Sequence, residues 1–440
     1  MSLEERKPYI AKCPRCSQCK WVPAPKSQQF APICPSIQYG NFHSYSAGGK
    51  GITAYALTEG RANYSEEMLR SVYACTMCGA CDTACKTNFG DNVEPLDTLY
   101  ALRARIVSSG HALPPHLAMM DDLRREGNPF GKPRLDRDRF ARHLRLKNIT
   151  QLSAEVYLHI GCEAAYDETQ WPDLRFGIDL LQRANVDFGV AGNAELNSGG
   201  LAYDLGFQDE ARALAEANAE LIAASKATTI VTFCAESYAA FRNIYPRLGV
   251  SLGGVNIVHI SEYLEALLRD KRLDLQAKVD AVVTYHDPCK LGRLSEPYQP
   301  WSGRWTKVLK VVNVADPPRN VLFGTGGNYE APRRLLGMIE GISLAEMERS
   351  REFSYCCGGG GGAKEAFPEF AEKTARDRLT EAEATDASIL VTSCSSCEMH
   401  LRDVARRSGS RLQVMNLLGL LAAAACSMDV GQRATESTPC

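Results

Sequence analysis

Cysteine spacing constrains the fold of this chain more than any other sequence feature. The 440 residues include 17 cysteines. Such a content indicates disulfides in a small secreted protein, but metal sites in a long chain without a signal peptide. The segment Met1–Lys7 carries acidic residues where a signal peptide has a basic and then an apolar stretch. We therefore expect a cytoplasmic protein whose cysteines bind metal.

The cysteines before residue 90 contain two tripods with C-x2-C-x2-C spacing. These eight residues are Cys13, Cys16, Cys19, Cys34, Cys75, Cys78, Cys81 and Cys85. Two-residue gaps let a tight loop direct three thiolates at one small cluster, and the run that ends at Cys85 has the spacing of a bacterial [4Fe–4S] site. Zinc ribbons, the alternative, use pairs of C-x2-C instead of triplets.

We predict two cubane [4Fe–4S] clusters that exchange their fourth ligands, as in two-cluster ferredoxins. The first cluster is assigned to Cys13, Cys16, Cys19 and Cys85. The second is assigned to Cys75, Cys78, Cys81 and Cys34. Two features depart from the usual run: Lys86 rather than proline follows Cys85, and Cys34 lies 15 positions after Cys19.

Charge and hydropathy exclude two other classes of protein. The formal net charge is −2, from 50 basic and 52 acidic residues, so no polyanionic partner is indicated and nucleic-acid binding is not expected. The longest apolar run, Leu417–Cys426, is about half of the roughly 20 residues that a membrane-spanning helix requires. We interpret that run as a buried helix.

From about residue 150, short apolar runs alternate with longer helical patterns, which is typical of parallel α/β units. The pattern occurs twice. The interval from Ser198 to Cys234 is 36 positions, and that from Cys357 to Cys394 is 37. We interpret the last 270 or so residues as two similar domains, of which the first has lost most of its cysteines.

The predicted fold class is a multidomain α+β chain, with a helical two-cluster ferredoxin domain followed by two pseudo-repeated α/β domains. The predicted boundaries are 1–120 for the ferredoxin-like domain, 121–150 for a linker, 151–273 for the first α/β domain, 274–426 for the second and 427–440 for a tail. An insertion at about 297–326, which includes Trp301 and Trp305, is either a surface loop packed on its own aromatic residues or a partner-docking element.

A second group of thiols lies in the last α/β domain. It consists of Cys289, Cys356, Cys357, Cys394 and Cys397. Five sulfurs with an adjacent pair are awkward for tetrahedral zinc, but suit a larger or distorted iron–sulfur assembly. Five glycines, Gly358–Gly362, follow the pair; they either form a flexible linker or let the backbone approach a cofactor and direct its N–H groups at sulfur. A helix is predicted over Lys364–Ala371.

These residues carry a resemblance to a known family. The relevant segments are His286-Asp-Pro-Cys289-Lys-Leu-Gly-Arg293, Ala331-Pro-Arg333, Glu346-Met347, Cys356–Gly362 and Ser393–Cys397. They resemble the cysteine-rich CCG domain of the heterodisulfide reductase superfamily, and the resemblance extends over roughly residues 10–425. It implies a noncubane [4Fe–4S] cluster on the five C-terminal cysteines. Related subunits occur in sulfite-reductase-linked complexes, glycolate and lactate oxidases, and class II benzoyl-CoA reductase.

The first α/β domain departs from the family pattern. Asn197 and Ser198 stand where its adjacent cysteines would be, and Ser237 stands where its last cysteine would be. Cys162 and Cys234 alone cannot hold a cluster, so they are either buried relics or a functional thiol pair. This domain is therefore expected to carry no cluster.

The predicted function is that of an iron–sulfur electron-transfer subunit in a multisubunit oxidoreductase. Because no motif for flavin or nicotinamide is convincing, we expect a flavoprotein or dehydrogenase partner, or a membrane quinone or haem subunit that would hold the chain at the cytoplasmic membrane. The alternative is a disulfide or heterodisulfide reductase that uses the noncubane cluster; a zinc scaffold is a third reading. His286 is a candidate proton relay or a structural hydrogen-bonded histidine, and Lys290 and Arg293 either lie near the cluster or are solvated.

Overall fold

The computed structural model describes residues 2–274, 278–309 and 312–425, so the predicted tail and Cys426 and Cys440 lie outside the described residues. Its first part is helical. The helices there are Leu3–Ala11, Pro35–Gly40, Ala47–Thr58, Glu66–Tyr73, Ala80–Phe89, Pro95–Ser108 and Pro114–Glu126. Local capping sets several of their starts: the Ser46 and Ser65 hydroxyls accept from Gly49 N and Met68 N. The helix Pro114–Glu126 runs across the boundary predicted at residue 120.

Two parallel sheets follow. The strands of the first sheet are β1 (Lys147–Asn148), β2 (Val156–His159), β3 (Phe188–Val190), β4 (Thr229–Thr232) and β5 (Asn256–His259), in the order β1-β3-β2-β4-β5. The chain then forms β6 (Lys278–His286), an antiparallel hairpin of β7 (Arg304–Val308) and β8 (Val312–Asp316), β9 (Glu340–Leu344), β10 (Ile389–Thr392) and β11 (Gln413–Asn416). The second parallel sheet has the order β11-β10-β6-β9.

Helices connect and cover the strands of both sheets. Around the first sheet they are Cys162–Tyr166, Trp171–Arg183, Gly200–Leu205, Gln208–Ser225, Ala235–Ala239 (continued to Arg247 by a π-helical turn) and Ile260–Arg269. Around the second they are Glu330–Gly337, Ala363–Ala366, Pro368–Glu383, Ser395–Ser408 and Leu417–Ala425. The predicted mixture of helices and parallel sheets is confirmed.

The two sheets share one hydrophobic core. Val231 and Phe233 of the first sheet region and Val283 and Val391 of the second belong to one cluster of buried side chains. The apolar run predicted to be a buried helix forms Leu417–Ala425 and packs on helix Trp171–Arg183 of the first sheet. Among the described residues, every helix is too short or too polar to cross a bilayer.

Several strands end at a cysteine, which determines where the thiols gather. Cys162 follows β2, Cys234 follows β4, Cys289 follows β6 and Cys394 follows β10. Because ligands of open parallel sheets bind beyond the carboxyl ends of the strands, these four side chains lie at the edge where a site is expected. The helical first part packs against the same edge.

Candidate metal centres

The helical part brings its eight predicted cysteine ligands together as two sets of four. One cavity is lined by the first thiol set: Cys13, Cys16, Cys19 and Cys85. A second cavity is lined by the second thiol set: Cys34, Cys75, Cys78 and Cys81. The fourth member of each set therefore comes from the sequence region of the other tripod, which is the arrangement that the exchanged-ligand prediction requires.

Helix starts and glycines shape both cavities. Cys34 precedes Pro35 and caps its helix, and Gly79, at φ +75°, precedes the helix Ala80–Phe89 that carries Cys81 and Cys85. Backbone amides approach the sulfurs: Gly48 N faces Cys19, and Ala80 N faces Cys78. Such N–H groups stabilise a thiolate, so the donor set fits an anionic, sulfur-ligated cluster.

Burial keeps the eight thiols largely out of water, except near the first set. Cys16 is exposed and Cys13 is half-buried, whereas Cys34 and Cys85 are buried. Burial raises the pKa of Cys34 to about 12 and the pKa of Cys85 to about 12. Without iron these thiols hold their protons, so cluster binding must release them.

The five C-terminal cysteines form one continuous third thiol set. The Cys356 thiol makes hydrogen bonds with Cys289 and Cys357, and the Cys397 thiol does so with Cys357 and Cys394. The Cys397 and Cys357 sulfurs are 3.3 Å apart. Uncompensated thiolates at such spacing would repel one another, so the set fits a polynuclear cation rather than five free thiols.

Backbone amides of the glycine run face this set, as predicted. Gly358 N donates to Cys356 Sγ at 3.3 Å and Gly359 N to Cys357 Sγ at 3.5 Å. The predicted helix Lys364–Ala371 is wrong in its extent: one helix covers Ala363–Ala366 and a second begins at Pro368. Phe367, with φ −140° and ψ 66°, breaks the two apart because a residue before proline is disfavoured in the α region.

The second and third sets touch. Cys78 of the second set makes a hydrogen bond with Cys356 of the third, and this contact lowers the pKa of Cys78. Arg293 holds the two loops at this distance: its Nε donates to Cys78 O at 2.6 Å and its Nη1 to Ser354 O at 2.8 Å. Arg293 is therefore buried between two sets and not solvated.

The family-like residues around Cys289 and Cys356 form an ion-pair lock. Arg333 binds both oxygens of Asp287, at 2.7 and 2.9 Å, and also binds Glu346 at 2.6 Å. Asp287 further accepts from Arg351 N at 2.8 Å. These bidentate contacts tie the strand end of β6 to the loop before Cys356, which fixes the separation of the third set's members.

His286 lies beside the third set in one tautomer. Arg378 Nε donates to His286 Nδ1 at 3.0 Å, so the imidazole proton resides on Nε2. One ring nitrogen of His286 and the sulfurs of Cys357 and Cys397 lie within 4.8 Å of one another. Burial and Arg378 lower the pKa of His286. The geometry makes His286 a neutral N–H donor toward sulfur.

The first α/β unit has a polar network at the corresponding strand ends. His159 Nε2 lies 2.9 Å from Ser237 Oγ, at the end of β2. Arg137 donates to Cys162 Sγ at 3.3 Å and to Glu195 at 2.7 Å. Sequence reasoning missed Arg137 and Glu195, because nothing distinguishes this arginine within its arginine-rich segment. That segment, predicted to be a linker or a surface strap, contributes a buried side chain.

Family models match two regions of the chain. A model of a 4Fe-4S dicluster domain matches residues 9–89, and a model of the cysteine-rich CCG domain matches residues 323–402. An iron–sulfur relative, one of the subunits of dihydromethanophenazine:CoB–CoM heterodisulfide reductase from Methanosarcina acetivorans, is 29% identical over 422 residues, which cover 94% of this chain and 93% of that protein. The chain belongs to the heterodisulfide reductase superfamily.

Other relatives in the superfamily are longer than this chain. The probable iron-sulfur-binding oxidoreductase FadF of Bacillus subtilis is 28% identical over 370 residues, which cover 82% of this chain and 47% of that protein. The EtfAB:quinone oxidoreductase of Syntrophomonas wolfei is 26% identical, with coverage of 72% and 41%. The chain is thus related to iron–sulfur oxidoreductases, and two of these relatives have about half of their length outside the matched region.

Proposed function

We propose that the chain is an iron–sulfur electron-transfer subunit of a multisubunit oxidoreductase. Two cubane clusters would be held by the first and second thiol sets, and one noncubane cluster by the third. When bound, clusters of this type supply one-electron transfer. The contact between Cys78 and Cys356 carries the proposal, because it joins the second and third sets without an intervening layer of protein.

The chain's own residues keep the sets in a fixed order. Cys19 lies close enough to Cys81 to influence its ionisation, so the first and second sets are also neighbours. Arg293 spans the second and third sets, and the neutral His286 would donate its Nε2 proton toward Cys357. We propose that His286 orients and stabilises the ligand sulfur rather than relays protons, because Arg378 occupies its other nitrogen.

The matching strand orders β3-β2-β4-β5 and β9-β6-β10-β11 support the proposed internal repeat. In that alignment, Cys162 and Cys234 correspond to Cys289 and Cys394, and Ser237 corresponds to Cys397. The first α/β unit would then hold no cluster, because Arg137, Asn197 and Ser237 occupy the space around its two remaining thiols with hydrogen-bonding groups.

Electrons would enter or leave through partner subunits. The name of the Syntrophomonas relative includes an electron-transferring flavoprotein and a quinone, which supports a flavoprotein on one side and a quinone-reactive membrane protein on the other. We propose a cytoplasmic subunit that reaches the membrane through such partners. Disulfide reduction is the second candidate, and a cavity that borders the third thiol set favours it.

Iron content and low-temperature EPR of the anaerobically purified chain test the proposal. We expect about 12 iron per chain and a signal distinct from those of reduced cubanes. Cys357→Ser should lower the content to about 8 iron and remove the distinct signal alone. An unchanged iron content in that variant would contradict the third cluster.

A further inference from the structure

A single cavity lies between the cysteine-poor first α/β unit and the third thiol set. It encloses about 1010 Å³ including its mouth. Cys162, Cys234 and Ser237 line one wall, and Cys289, Cys357, Cys394 and Cys397 line the other. We call it the inter-unit cavity. Neither the electron-transfer proposal nor the ligand assignment uses Cys162 or Cys234.

Two N–H donors converge on the sulfur of Cys162. Arg137 Nη1 lies 3.3 Å and Asn197 Nδ2 lies 3.2 Å from Cys162 Sγ. Both groups can only donate, so they stabilise the thiolate relative to the thiol. The other charged or titratable side chains near this sulfur are Glu195, which accepts from Arg137, and Tyr166.

The network around Arg137 is rigid. Its second nitrogen donates to Glu195 Oε1 at 2.7 Å, and the Glu195 carboxylate accepts from Ile160 N and Gly161 N, both at 2.9 Å. Arg137 is only 2% exposed. The guanidinium cannot swing away from Cys162, so its effect on the sulfur persists in every substrate-free molecule.

Cys234 provides an internal contrast on the same wall. Its sulfur accepts one hydrogen bond, from Ser237 N at 3.4 Å. Burial, and Glu236 next to it, raise the pKa of Cys234 to about 12. Cys234 therefore stays a neutral thiol, whereas Cys162 has the surroundings of a nucleophile.

A second observation indicates that the inter-unit cavity binds a ligand. Asp204 lines it and is 1% exposed; Lys290 Nζ binds one carboxylate oxygen at 2.6 Å, and the other oxygen, Oδ1, has no hydrogen-bond partner within the described residues. A buried carboxylate oxygen requires a donor. Glu163, Glu236 and Glu365 line the same cavity, so it favours a neutral or cationic ligand over an anionic one.

We propose that the inter-unit cavity is a thiol–disulfide exchange site in which Cys162 is the nucleophile and the ligand is a small disulfide with an amine or amide donor. The Cys162 thiolate attacks one sulfur of the ligand. A Cys162–ligand disulfide forms, the ligand's own disulfide bond breaks, and the electron pair leaves with the second sulfur, which takes a proton from water. The exchange needs no external electrons, so it goes beyond the electron-transfer proposal and can fail independently of it.

Cystamine, a disulfide with two ammonium groups, is the probe, and dithiodipropionate is its anionic counterpart. The holo chain is incubated anaerobically with each, and the adduct is quantified by mass spectrometry with peptide mapping, alongside iron content. We expect an adduct on Cys162 that forms with cystamine at least ten-fold faster than with dithiodipropionate. Asp204→Asn should reduce that preference.

Matched variants separate a reactive thiol from a structural one. Cys162→Ser should abolish the adduct and Cys234→Ser should retain it, both at the wild-type iron content. Arg137→Gln should slow adduct formation about ten-fold or more without removing Cys162. An adduct that persists in Cys162→Ser, the absence of any wild-type adduct, or a loss of iron in Cys162→Ser would overturn the proposal, whereas the electron-transfer proposal depends only on the iron and EPR results.

Discussion

At the scale of single residues, buried cationic side chains organise the loops that carry the thiols. Lys50 Nζ donates to Ser36 Oγ at 2.8 Å and to Tyr45 O at 2.7 Å, and its charge favours the anionic form of Cys34. Arg293 and Arg137 have comparable positions beside Cys78 and Cys162. Because each cation also satisfies backbone or carboxylate oxygens, it supports loop geometry and thiolate charge together.

His116 couples the stability of this region to pH. It is 1% exposed, its Nε2 lies 2.9 Å from Gly362 O, and burial lowers its pKa to about 4. Between pH 6.5 and about 4 the unfolded chain binds a proton that the folded chain does not, so stability falls as the pH falls. At pH 5 the loss from this residue is about 2 kcal/mol.

The urea midpoint at pH 7 and pH 5 measures this effect. His116→Gln keeps an N–H donor and removes the titration, so its midpoint should fall less between the two pH values than that of the wild type. His111→Gln, at an exposed histidine, should behave like the wild type. An equal fall in all three proteins would show that His116 is not the group responsible.

At the scale of elements, the run Gly358–Gly362 is a packing element. Gly361 has φ +63°, and a Cβ atom there would lie 2.8 Å from the carbonyl of Thr76, in the loop that bears Cys75 and Cys78. Gly362 similarly approaches His116. The run therefore lies against the second thiol set on one side while its first amides face the third set, and the flexible-linker interpretation does not describe it.

A pair of alanine substitutions tests this role. Gly361→Ala adds a methyl group at positive φ against backbone atoms, so it should lower the free energy of unfolding by about 3 kcal/mol. Gly359→Ala, whose nearest neighbour would be His400 at 3.5 Å, should cost less than about 1 kcal/mol. Urea denaturation gives both values; similar losses would contradict the close approach.

Sequence patterns predicted the elements well where periodicity and turn chemistry agree. The predicted strand Val156–Ile160 is found at Val156–His159, and the predicted helix Glu94–Ser108 at Pro95–Ser108. The helix break at Phe367 had a local signal, Pro368, which the apolar pattern obscured. Arg137 had no local signal, since its partner Glu195 is 58 positions away in the chain. Cysteine gaps predicted which thiols would gather, because metal ligation leaves few solutions, but the contact of Cys78 with Cys356 depends on tertiary packing alone.

At the scale of the whole molecule, Arg103 joins the three parts of the chain. Its side chain is fully buried and donates to Cys75 O at 2.7 Å in the helical part, to Asp204 O at 2.9 Å in the first α/β unit and to Gly361 O at 3.0 Å in the second. Its guanidinium also lies over the ring of Tyr73. One cation thus fixes how the second thiol set, the inter-unit cavity and the glycine run meet.

Arg103→Met should leave several buried carbonyls without donors and lower the free energy of unfolding by about 3 kcal/mol or more. Arg105→Met is the matched control on the same helix: Arg105 is exposed and pairs with Glu4 at the surface, so its loss should cost less than about 1 kcal/mol. Urea denaturation with limited proteolysis measures both. Comparable effects of the two variants would mean that the parts are held together elsewhere.

The order in which the thiols occur along the chain has a consequence for biosynthesis. The first and second sets interleave, so neither is complete until Cys81 or Cys85 has left the ribosome, and the third set, whose Cys356 lies against Cys78, needs the chain as far as Cys397. A nascent polypeptide therefore exposes partial tripods to the cell while hundreds of residues remain to be made. Cofactor delivery to this protein must follow translation, and the third set, which covers the second, must be filled or closed last.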